Sequence, residues 1–384
     1  SPAVCTTSPC YSIQIRLEID NVIGKFAQIA TAISLAGGSL GAVDIVRVER
    51  GTITRDVTVD ARDADHEKEI VRSIKNVGGV KIVRVMDRTF SSHEGGKIEI
   101  RSKIPIRDRN DLSQVYTPGV ARVCMDIYHN PDHAYRYTIK RNSVAIITDG
   151  TAVLGLGDIG PDAAMPVMEG KALLFKYLGG VDGFPICLRT KDPEEIVHAC
   201  ELLEPSFGGI NLEDIEKPKC FYVLEKARER LKIPVWHDDQ QGTATVILAG
   251  LMNSFKIVGK DPKKSMITLI GAGAANLRTA YVLTRWGIKP GNIMLVDTKG
   301  VIYPGRSDIR KDDDPWKYEL AQKTNAEGRR GDIAAAFKGV DAVVAASKPG
   351  PDTIKKEWIS TMADNSIVFA CANPIPEIWP WEAR

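Results

Sequence analysis

Two pairs of adjacent acidic residues stand out in this chain of 384 residues, because each directly follows an apolar run. Glu213 and Asp214 come after FGGINL, and Asp238 and Asp239 come after IPVWH. Adjacent carboxylates repel each other, so an apolar segment that ends in such a pair needs a compensating charge. Mg²⁺ and Mn²⁺ take carboxylate oxygens and keep open positions for water or substrate. The two pairs therefore predict a metal site, although either pair alone is more typical of a solvated loop tip.

The elements around these carboxylates follow an α/β pattern over residues 97–240. The apolar segments SVAIITD, FPICLRT, GGINLED and IPVWHDD alternate with helical segments such as PVMEGKALLFKYLGG and CFYVLEKARERL. This alternation predicts a largely parallel sheet with helices between the strands. Just before it, SSHEGGKIEIRSK reads as a linker that passes into an edge strand.

Residues 11–90 predict a smaller domain of their own. IQIRLEI alternates with period two, and the amphipathic segment GKFAQIATAISLAGG stops at two glycines, as helices often do. A hairpin, a second helix with acidic residues in its first turn and a last strand follow. The order is βαββαβ, the ferredoxin-like split.

Two glycine fingerprints occur, and the stricter one is the weaker candidate. Gly155, Gly157 and Gly160 match Gly-x-Gly-x-x-Gly, but Pro161 follows at once and no strand with an acidic end comes about 20 residues later. We interpret this segment as a tight turn that lines a cleft.

The looser fingerprint has the context that a dinucleotide site needs, and it predicts a Rossmann-type domain over residues 241–384. MITLI precedes it, a helix follows, and NIMLVD ends in an acidic residue about 20 residues on. Gly271 permits the tight turn, and Gly273 lets the backbone approach a pyrophosphate at the helix N-terminus. Asn276 replaces the third glycine, which predicts a looser helix–strand contact. The predicted coenzyme-binding loop comprises Gly271, Ala272, Gly273, Ala274, Ala275 and Asn276.

The acidic residue at the end of NIMLVD bears on the choice of coenzyme. Asp297 would accept hydrogen bonds from the adenine ribose hydroxyls, which favours NAD. Lys299 and Arg306 lie close in sequence and could instead meet a 2′-phosphate, so NADP stays open.

Composition excludes several classes of function. The net charge of +2 gives no argument for nucleic acid or an anionic membrane, and the 43% hydrophobic and 26% charged content is ordinary for a globular protein. The chain has no run of about 18 apolar residues, and SPAVCTTSPCYS lacks the basic start and apolar core that are typical of a signal peptide. The cysteines have no CxxC or framework spacing, so we expect reduced thiols in a cytoplasmic protein. They stand at positions 5, 10, 124, 187, 200, 220 and 371.

Several dense motifs in a fixed order resemble the malic enzymes, specifically the smaller prokaryotic type with an N-terminal ACT domain. They span residues 98–384: DLSQVYTPGVA, TDGTAVLGLGDIG, MPVMEGKALLFK, INLEDIE, HDDQQGTA, GAGAAN, VDTKGVIYPGR and ACANPIPE. The resemblance implies oxidative decarboxylation of malate to pyruvate and CO₂ with reduction of NAD or NADP. It also implies Mg²⁺ or Mn²⁺ and a homodimer or higher homo-oligomer.

The resemblance assigns the two acidic pairs unequal roles. Glu213, Asp214 and Asp239 match the family's metal ligands, whereas Asp238 matches the residue that orients a general base. That base is Lys171, which must be neutral to act, and burial beside a metal would depress its pKa.

Two further site residues also come from the resemblance. Tyr116 matches the acid that protonates C3 of enolpyruvate, and Asn373 matches a residue that contacts substrate and nicotinamide. His237 resembles a zinc ligand beside the acidic pair, but alternation along the strand points it away from Asp238.

The N-terminal domain offers two readings. DNVIGKFAQIATAISLAGGSL resembles the start of an ACT domain, in which Asn21 and Gly24 occupy the positions that hold an amino-acid effector. The alternative is a dimerisation scaffold that binds no ligand.

Two departures from the family limit the transfer. Larger malic enzymes carry an arginine that clamps a malate carboxylate where this chain has Ala152, so the carboxylate anchor is unassigned. The family also continues past NPxPE, and we therefore expect a fragment or missing ends. The alternatives are a metal-dependent dehydrogenase of another β-carboxy 2-hydroxy acid such as tartrate, or an amino-acid-sensing protein with a degenerate enzyme domain.

Overall fold

A computed structural model of the chain describes residues 7–373 and 375–384. The chain divides into two compact units, and the boundary lies between Arg101 and Ser102. No helix among the described residues is both long and apolar enough to cross a membrane. Cys5 lies outside the described residues, and the other cysteines are free thiols.

The first unit is a four-stranded antiparallel sheet in the order β2-β3-β1-β4. Its element order is βαββαβ, as predicted. α2 begins where Asp63 accepts hydrogen bonds from two backbone N–H groups, and its basic last turn complements the helix dipole. Ile29, Ile33 and Ile70 of the two helices pack on the buried face of β1 and β3. The elements are β1 Ser8–Asp20, α1 Lys25–Leu35, β2 Ser39–Val48, β3 Thr52–Ala61, α2 Ala64–Lys75, β4 Val80–Asp87 and α3 Arg88–His93.

The second unit opens with helices and then builds a parallel sheet in the order β6-β5-β7-β8. All four strands match the predicted apolar segments. The elements of this part are α4 Arg109–Val115, α5 Val120–His129, α6 Ala134–Tyr137, β5 Ser143–Thr148, α7 Pro161–Gly179, β6 Asp182–Cys187, α8 Pro193–Leu203, β7 Gly209–Leu212, α9 Lys219–Arg230 and β8 Val235–His237.

The predicted edge strand in SSHEGGKIEIRSK is wrong. The segment begins inside α3, and residues 97–103 pair with no sheet in the described part of the chain. Ile98 is 39% exposed and Ile100 is 88% exposed, so the alternating side chains have no core to cover. Period-two spacing without a buried face does not make a strand.

The last part of the second unit is a sheet in the order β11-β10-β9-β12-β13, parallel except for the short β11. This is the Rossmann-type arrangement predicted for residues 241–384. The elements are α10 Thr243–Val258, β9 Ile267–Ile270, α11 Ala274–Trp286, β10 Ile293–Asp297, β11 Gly300–Val301, α12 Pro315–Lys323, β12 Ala342–Ala345, α13 Lys356–Ile359, β13 Ile367–Ala370 and α14 Pro380–Ala383.

One hydrophobic core holds both sheets of the second unit together. Leu212 and Leu224 of the first α/β part belong to the same buried cluster as Leu251, Leu269 and Val344 of the Rossmann part. Packing on this scale fixes the two sheets against each other, because close-packed interiors deform little. Side chains at their facing ends can therefore form one site.

Candidate functional site

The register of β7 and β8 brings the two acidic pairs together. Leu212 pairs with His237 across the parallel strands, so Glu213 and Asp238 follow at the same edge of the sheet. The backbone N–H of Asp214 donates to Oδ2 of Asp239 at 2.9 Å. Carboxylate oxygens of Glu213, Asp214 and Asp239 all lie within 4.8 Å of one another. These are the three side chains predicted as metal ligands.

The carboxylates of this cluster are buried and lack enough positive charge around them. Glu213 is 5% exposed and Asp214 is 4% exposed. Burial, followed by the charge of Asp239, raises the pKa of Glu213 to about 8 and that of Asp214 to about 7. Oδ2 of Asp214 is buried and has no hydrogen-bond partner among the described residues. Hard oxygen donors with unmet charge fit a divalent cation such as Mg²⁺ or Mn²⁺.

Lys171 lies midway along α7 and reaches both acidic pairs. Its Nζ is 2.8 Å from Oδ2 of Asp238 and 3.1 Å from Oε1 of Glu213. Burial lowers the pKa of Lys171, but the charge of Glu213 and the hydrogen bond to Asp238 outweigh it and hold the pKa above its usual value. Without a cation on these carboxylates, their charge thus dominates over desolvation, and the lower pKa predicted for Lys171 beside a bound metal stays a prediction.

The helix that carries Lys171 starts earlier than its apolar run indicates. α7 begins at Pro161, a position where proline fits because the missing N–H has no helical partner, and it continues through Pro166. It ends at Gly180, whose φ of +67° suits the left-handed cap. The preceding fingerprint is a tight turn, as predicted: Val153 N–H donates to the Gly157 carbonyl at 3.0 Å. The same turn lies against the acidic cluster, since Ala152 N–H donates to the Asp214 carbonyl at 3.0 Å.

Asn211 supports the cluster and was missed in the sequence. Its Nδ2 donates to Oε2 of Glu213 at 2.9 Å, and the side chain is 2% exposed. Residues two apart in a strand point to the same face, so this amide orients the carboxylate that follows it. A single asparagine inside the otherwise apolar GGINL was the available signal.

The second acidic pair stands on a π-helical turn, Asp238–Gly242. A Cβ on Gly242 would lie 2.2 Å from Oδ1 of Asp238, so a larger residue at the end of the turn would displace that carboxylate. His237 is buried beside this turn: its Nδ1 accepts from the Gln240 N–H at 3.3 Å, and its Nε2 lies 3.7 Å from Oδ2 of Asp239. His237 is not one of the three residues whose ligand atoms cluster.

Tyr116 and Asn373 are not joined to the acidic cluster by any described hydrogen bond. Tyr116 ends α4 with its side chain 64% exposed, and no described group bonds its hydroxyl. Asn373 is exposed just after β13. Its loop is held by Glu377, which is fully buried and accepts from the backbone N–H groups of Ser347 at 2.8 Å and Ala372 at 3.0 Å. Glu377 was missed, although it stands in the motif ANPIPE.

The coenzyme loop at the N-terminus of α11 has the geometry that a pyrophosphate requires. Gly271 adopts a φ of +93°, and a Cβ there would lie 2.4 Å from the Ala346 carbonyl oxygen. Gly273 caps α11 and has open space where a Cβ would project. Ala274 and Ala275 form the first turn, and Lys217 holds the loop by donating to the Ala272 carbonyl at 2.8 Å.

Asn276 tightens the loop instead of loosening it. The side chain is fully buried, and its Nδ2 donates to the carbonyl of Ile270 at 2.8 Å. The amide of Asn276 thus joins α11 to the end of β9 by a hydrogen bond. A glycine at this position would allow close packing but would form no such bond. The loose contact predicted from the missing glycine is wrong.

The acceptor positions of Asp297, which is predicted to bind the adenine ribose, are occupied by protein donors in this structure. Oδ1 accepts from the Lys299 N–H and from Arg306 Nη1, each at 2.9 Å. Oδ2 accepts from Arg306 Nη2 and from Lys317 Nζ. Burial raises the pKa of this carboxyl, but the hydrogen bonds from the two cations outweigh it and lower the pKa to about 2. A carboxylate offers about four acceptor positions, so none is free for ribose hydroxyls in this arrangement.

With this geometry in view, comparison with known proteins identifies the family. Residues 95–228 match the malic enzyme N-terminal domain and residues 240–379 match the malic enzyme NAD-binding domain. The chain belongs to the malic enzyme family. The family predicted from the motifs is confirmed.

Malic enzymes similar to this chain come from bacteria and an archaeon. An NAD-dependent malic enzyme of Geobacillus stearothermophilus is 50% identical over 369 residues, which cover 96% of this chain and 76% of that protein. An NADP-dependent malic enzyme of Haemophilus influenzae is 43% identical over 289 residues, 75% of this chain and 37% of that protein. The crystal structure of malic enzyme from Pyrococcus horikoshii matches with a TM-score of 0.72 and 46% identity over 75% of this chain and 67% of that one.

The raised carboxyl pKa values predict how stability changes with pH. Glu213 and Asp214 have folded-state values of about 8 and 7 against ordinary values of 4.5 and 3.8. The folded state therefore binds more protons than the unfolded state between these limits, and stability falls as pH rises through that window. We expect calorimetric melting temperatures in chelator to fall between pH 5 and 8 and saturating Mn²⁺ to abolish the fall.

Two variants distinguish the effect of Glu213 and Asp214 on stability from the effects of other titrating groups. Asp214→Asn should flatten the fall, because it removes one of the buried charges. Asp182→Asn, on β6, should not flatten it, since the pKa of Asp182 is lowered, chiefly by its hydrogen bond from Lys176. Equal pH profiles for wild type and Asp214→Asn would contradict the assignment.

Proposed function

We propose that this chain oxidises L-malate and decarboxylates the product to pyruvate and CO₂, with transfer of a hydride to NAD or NADP. Family membership supports the reaction class. The single observation that carries the proposal is the position of Lys171, within 3.1 Å of Glu213 and 2.8 Å of Asp238 at once. One amine thus lies between the proposed metal cluster and the acidic residue proposed to orient it.

Each step of the reaction has a candidate group. Hydride leaves C2 of malate for the nicotinamide while Lys171, as the neutral amine, takes the proton of the C2 hydroxyl. Asp238 holds the amine in place and accepts from its ammonium form. A divalent cation on Glu213, Asp214 and Asp239 would act as a Lewis acid on the substrate oxygens. It would also offset the charge of Glu213, the carboxylate that most raises the pKa of Lys171.

The later proton transfer is assigned to Tyr116. Loss of CO₂ leaves an electron pair on C3, and a phenol can supply the proton that completes pyruvate. The exposed and unbonded hydroxyl of Tyr116 is free to take this role. Asn373, on the loop held by Glu377, is proposed to contact substrate and nicotinamide.

The carboxylate anchor of the substrate stays unassigned. Ala152 contributes no charge, and no described arginine or lysine other than Lys171 ion-pairs with the acidic cluster. The assay must therefore compare malate with other β-carboxy 2-hydroxy acids, such as tartrate. The intact cluster around Lys171 argues against a degenerate enzyme domain.

Replacing Lys171 tests the proposed chemistry. We expect Lys171→Ala to lower kcat for malate by about 10²–10⁴-fold, the usual contribution of a general base. The matched control is Lys176→Ala on the same helix, whose amine is exposed and pairs with Asp182. Formation of NADH or NADPH is followed with Mn²⁺ and with chelator, and with malate and tartrate in parallel. Malate turnover that persists both in chelator and in Lys171→Ala would contradict the proposed mechanism.

The occupied carboxylate of Asp297 generates a prediction about coenzyme choice. We propose that Lys317 weakens NAD preference, because it fills an acceptor position of Asp297 and adds a cation near the ribose site. Lys317→Met should raise the ratio of kcat/KM for NAD to that for NADP on the order of ten-fold, since a hydrogen bond to a charged group contributes about 1.5–3 kcal/mol. Lys323→Met is the control, because Lys323 on the same helix pairs only with Glu319. An unchanged ratio for Lys317→Met would refute this role.

We propose the following domains: residues 11–90 as an ACT-like regulatory domain, 97–240 as the malic enzyme N-terminal domain and 241–384 as the coenzyme domain. The βαββαβ order supports the first assignment. Asn21 and Gly24 are exposed before α1, and Gly24 caps that helix with a φ of +82°. The exposed backbone donors at this helix end could receive the carboxylate of an amino acid.

An amino-acid panel tests the regulatory reading. At least one amino acid should raise the melting temperature or change the rate of malate turnover, and Asn21→Ala should weaken that response. Asn76→Ala, at the far end of α2, should keep it. A panel that changes neither quantity would leave only the scaffold role.

Self-association and location stay predictions. Ile100, Ile104 and Ile106 are 88%, 58% and 59% exposed, and this apolar segment supports a homodimer or higher homo-oligomer. Sedimentation analysis of the chain would decide the oligomeric state. The cytoplasmic location rests on the cysteine pattern alone.

A further inference from the structure

A hydrogen bond joins the coenzyme helix to the turn that carries Asp239. Arg278 lies on the second turn of α11, and its Nη2 donates to Oε1 of Gln240 at 2.8 Å. Gln240 is fully buried at the centre of the turn Asp238–Gly242, next to the proposed ligand Asp239. A helix that begins at the coenzyme loop is thus bonded to the turn that carries the proposed ligand Asp239.

The surroundings of Arg278 make loss of its hydrogen bond to Gln240 energetically unfavourable. The guanidinium lies 5.9 Å from the ring centroid of Phe221 and 5.3 Å from that of Tyr281. Its burial lowers the pKa of Arg278, and its Nε has no hydrogen-bond partner among the described residues. Gln240 is therefore a principal polar partner of a cation that lies largely among aromatic rings.

The turn is anchored on its other side by β8. The backbone N–H of His237 donates to Oε1 of Gln241 at 3.0 Å, and Nδ1 of His237 accepts from the N–H of Gln240 at 3.3 Å. These bonds tie the turn to its own strand. The bond from Arg278 ties the turn to α11, so the position of Asp239 depends on both sets of contacts.

We propose that Arg278 is a positioning residue for the metal site: acting through Gln240, it fixes the turn that places Asp239 and couples that turn to the coenzyme helix. The inference rests on the proposed metal-binding function. Groups that orient metal ligands typically contribute 10–100-fold to metal affinity. No described hydrogen bond or ion pair joins Arg278 to the proposed ligands, so we expect its effect to pass through Gln240.

Mn²⁺ binding to the full chain, measured by electron paramagnetic resonance without substrate, tests this role. Arg278→Met and Gln240→Leu should each raise the Kd for Mn²⁺ by about ten-fold or more. The double variant should bind about as weakly as either single variant, because residues that act through one contact are not additive. Arg285→Met is the control on the same helix, since Arg285 is exposed and its described contacts are with the hydroxyl and ring of Tyr281 and not with Gln240.

Folding is checked on the same samples, and each outcome bears on the proposal. Arg278 borders a cavity of about 390 Å³ between α9, α11 and α12, so methionine can be accommodated there. Arg278→Lys should restore part of the affinity, because a lysine keeps a charged donor. A wild-type Kd in Arg278→Met, or additive losses in the double variant, would overturn the inference. Wild-type protein that binds no Mn²⁺ would overturn the proposed metal function, and this inference with it.

Discussion

Mutual repulsion among buried carboxylates is the constraint on which the rest of this site depends. Glu213 and Asp214 end one strand and Asp238 and Asp239 follow its neighbour, so the parallel register forces four acidic groups to one edge. Among the described lysines and arginines, only Lys171 pairs with any of them. One cation cannot balance four carboxylates, and the pKa values of Glu213 and Asp214 are raised first by burial and then by the charge of Asp239.

The coenzyme end of the molecule has the opposite electrostatic character. Asp297 is surrounded by Arg306 and Lys317, and its pKa falls to about 2. The acceptors of this carboxylate bind Lys299 and Arg306 in the segment that follows β10, and Lys317 on α12. Acidic residues at strand ends therefore lie in two different electrostatic surroundings in this chain, and the number of nearby cations distinguishes them.

Much of this arrangement could be predicted from the sequence, because it depends on local pattern. Apolar runs gave the strands of both sheets, and the positions of the acidic pairs at strand ends gave the proposed metal cluster. What could not be predicted depends on contacts between distant residues. Lys317 is 20 residues from Asp297 and meets it only through the packing of α12. The edge strand proposed near Ile100 had the right alternation but no sheet to join.

The different proposed roles of Asp238 and Asp239 follow from the shape of the turn that carries them. In an extended strand, Asp238 and Asp239 would point to opposite faces. The π-helical turn replaces that extended path while the Asp214 N–H holds Asp239 inward and Lys171 bonds Asp238. Gly242 leaves room for the Asp238 carboxylate, because a Cβ there would lie 2.2 Å from its Oδ1. Two adjacent aspartates can therefore lie at one site, where Asp239 serves the proposed metal and Asp238 serves the proposed base. The backbone of this turn, more than the side chains themselves, makes this arrangement possible.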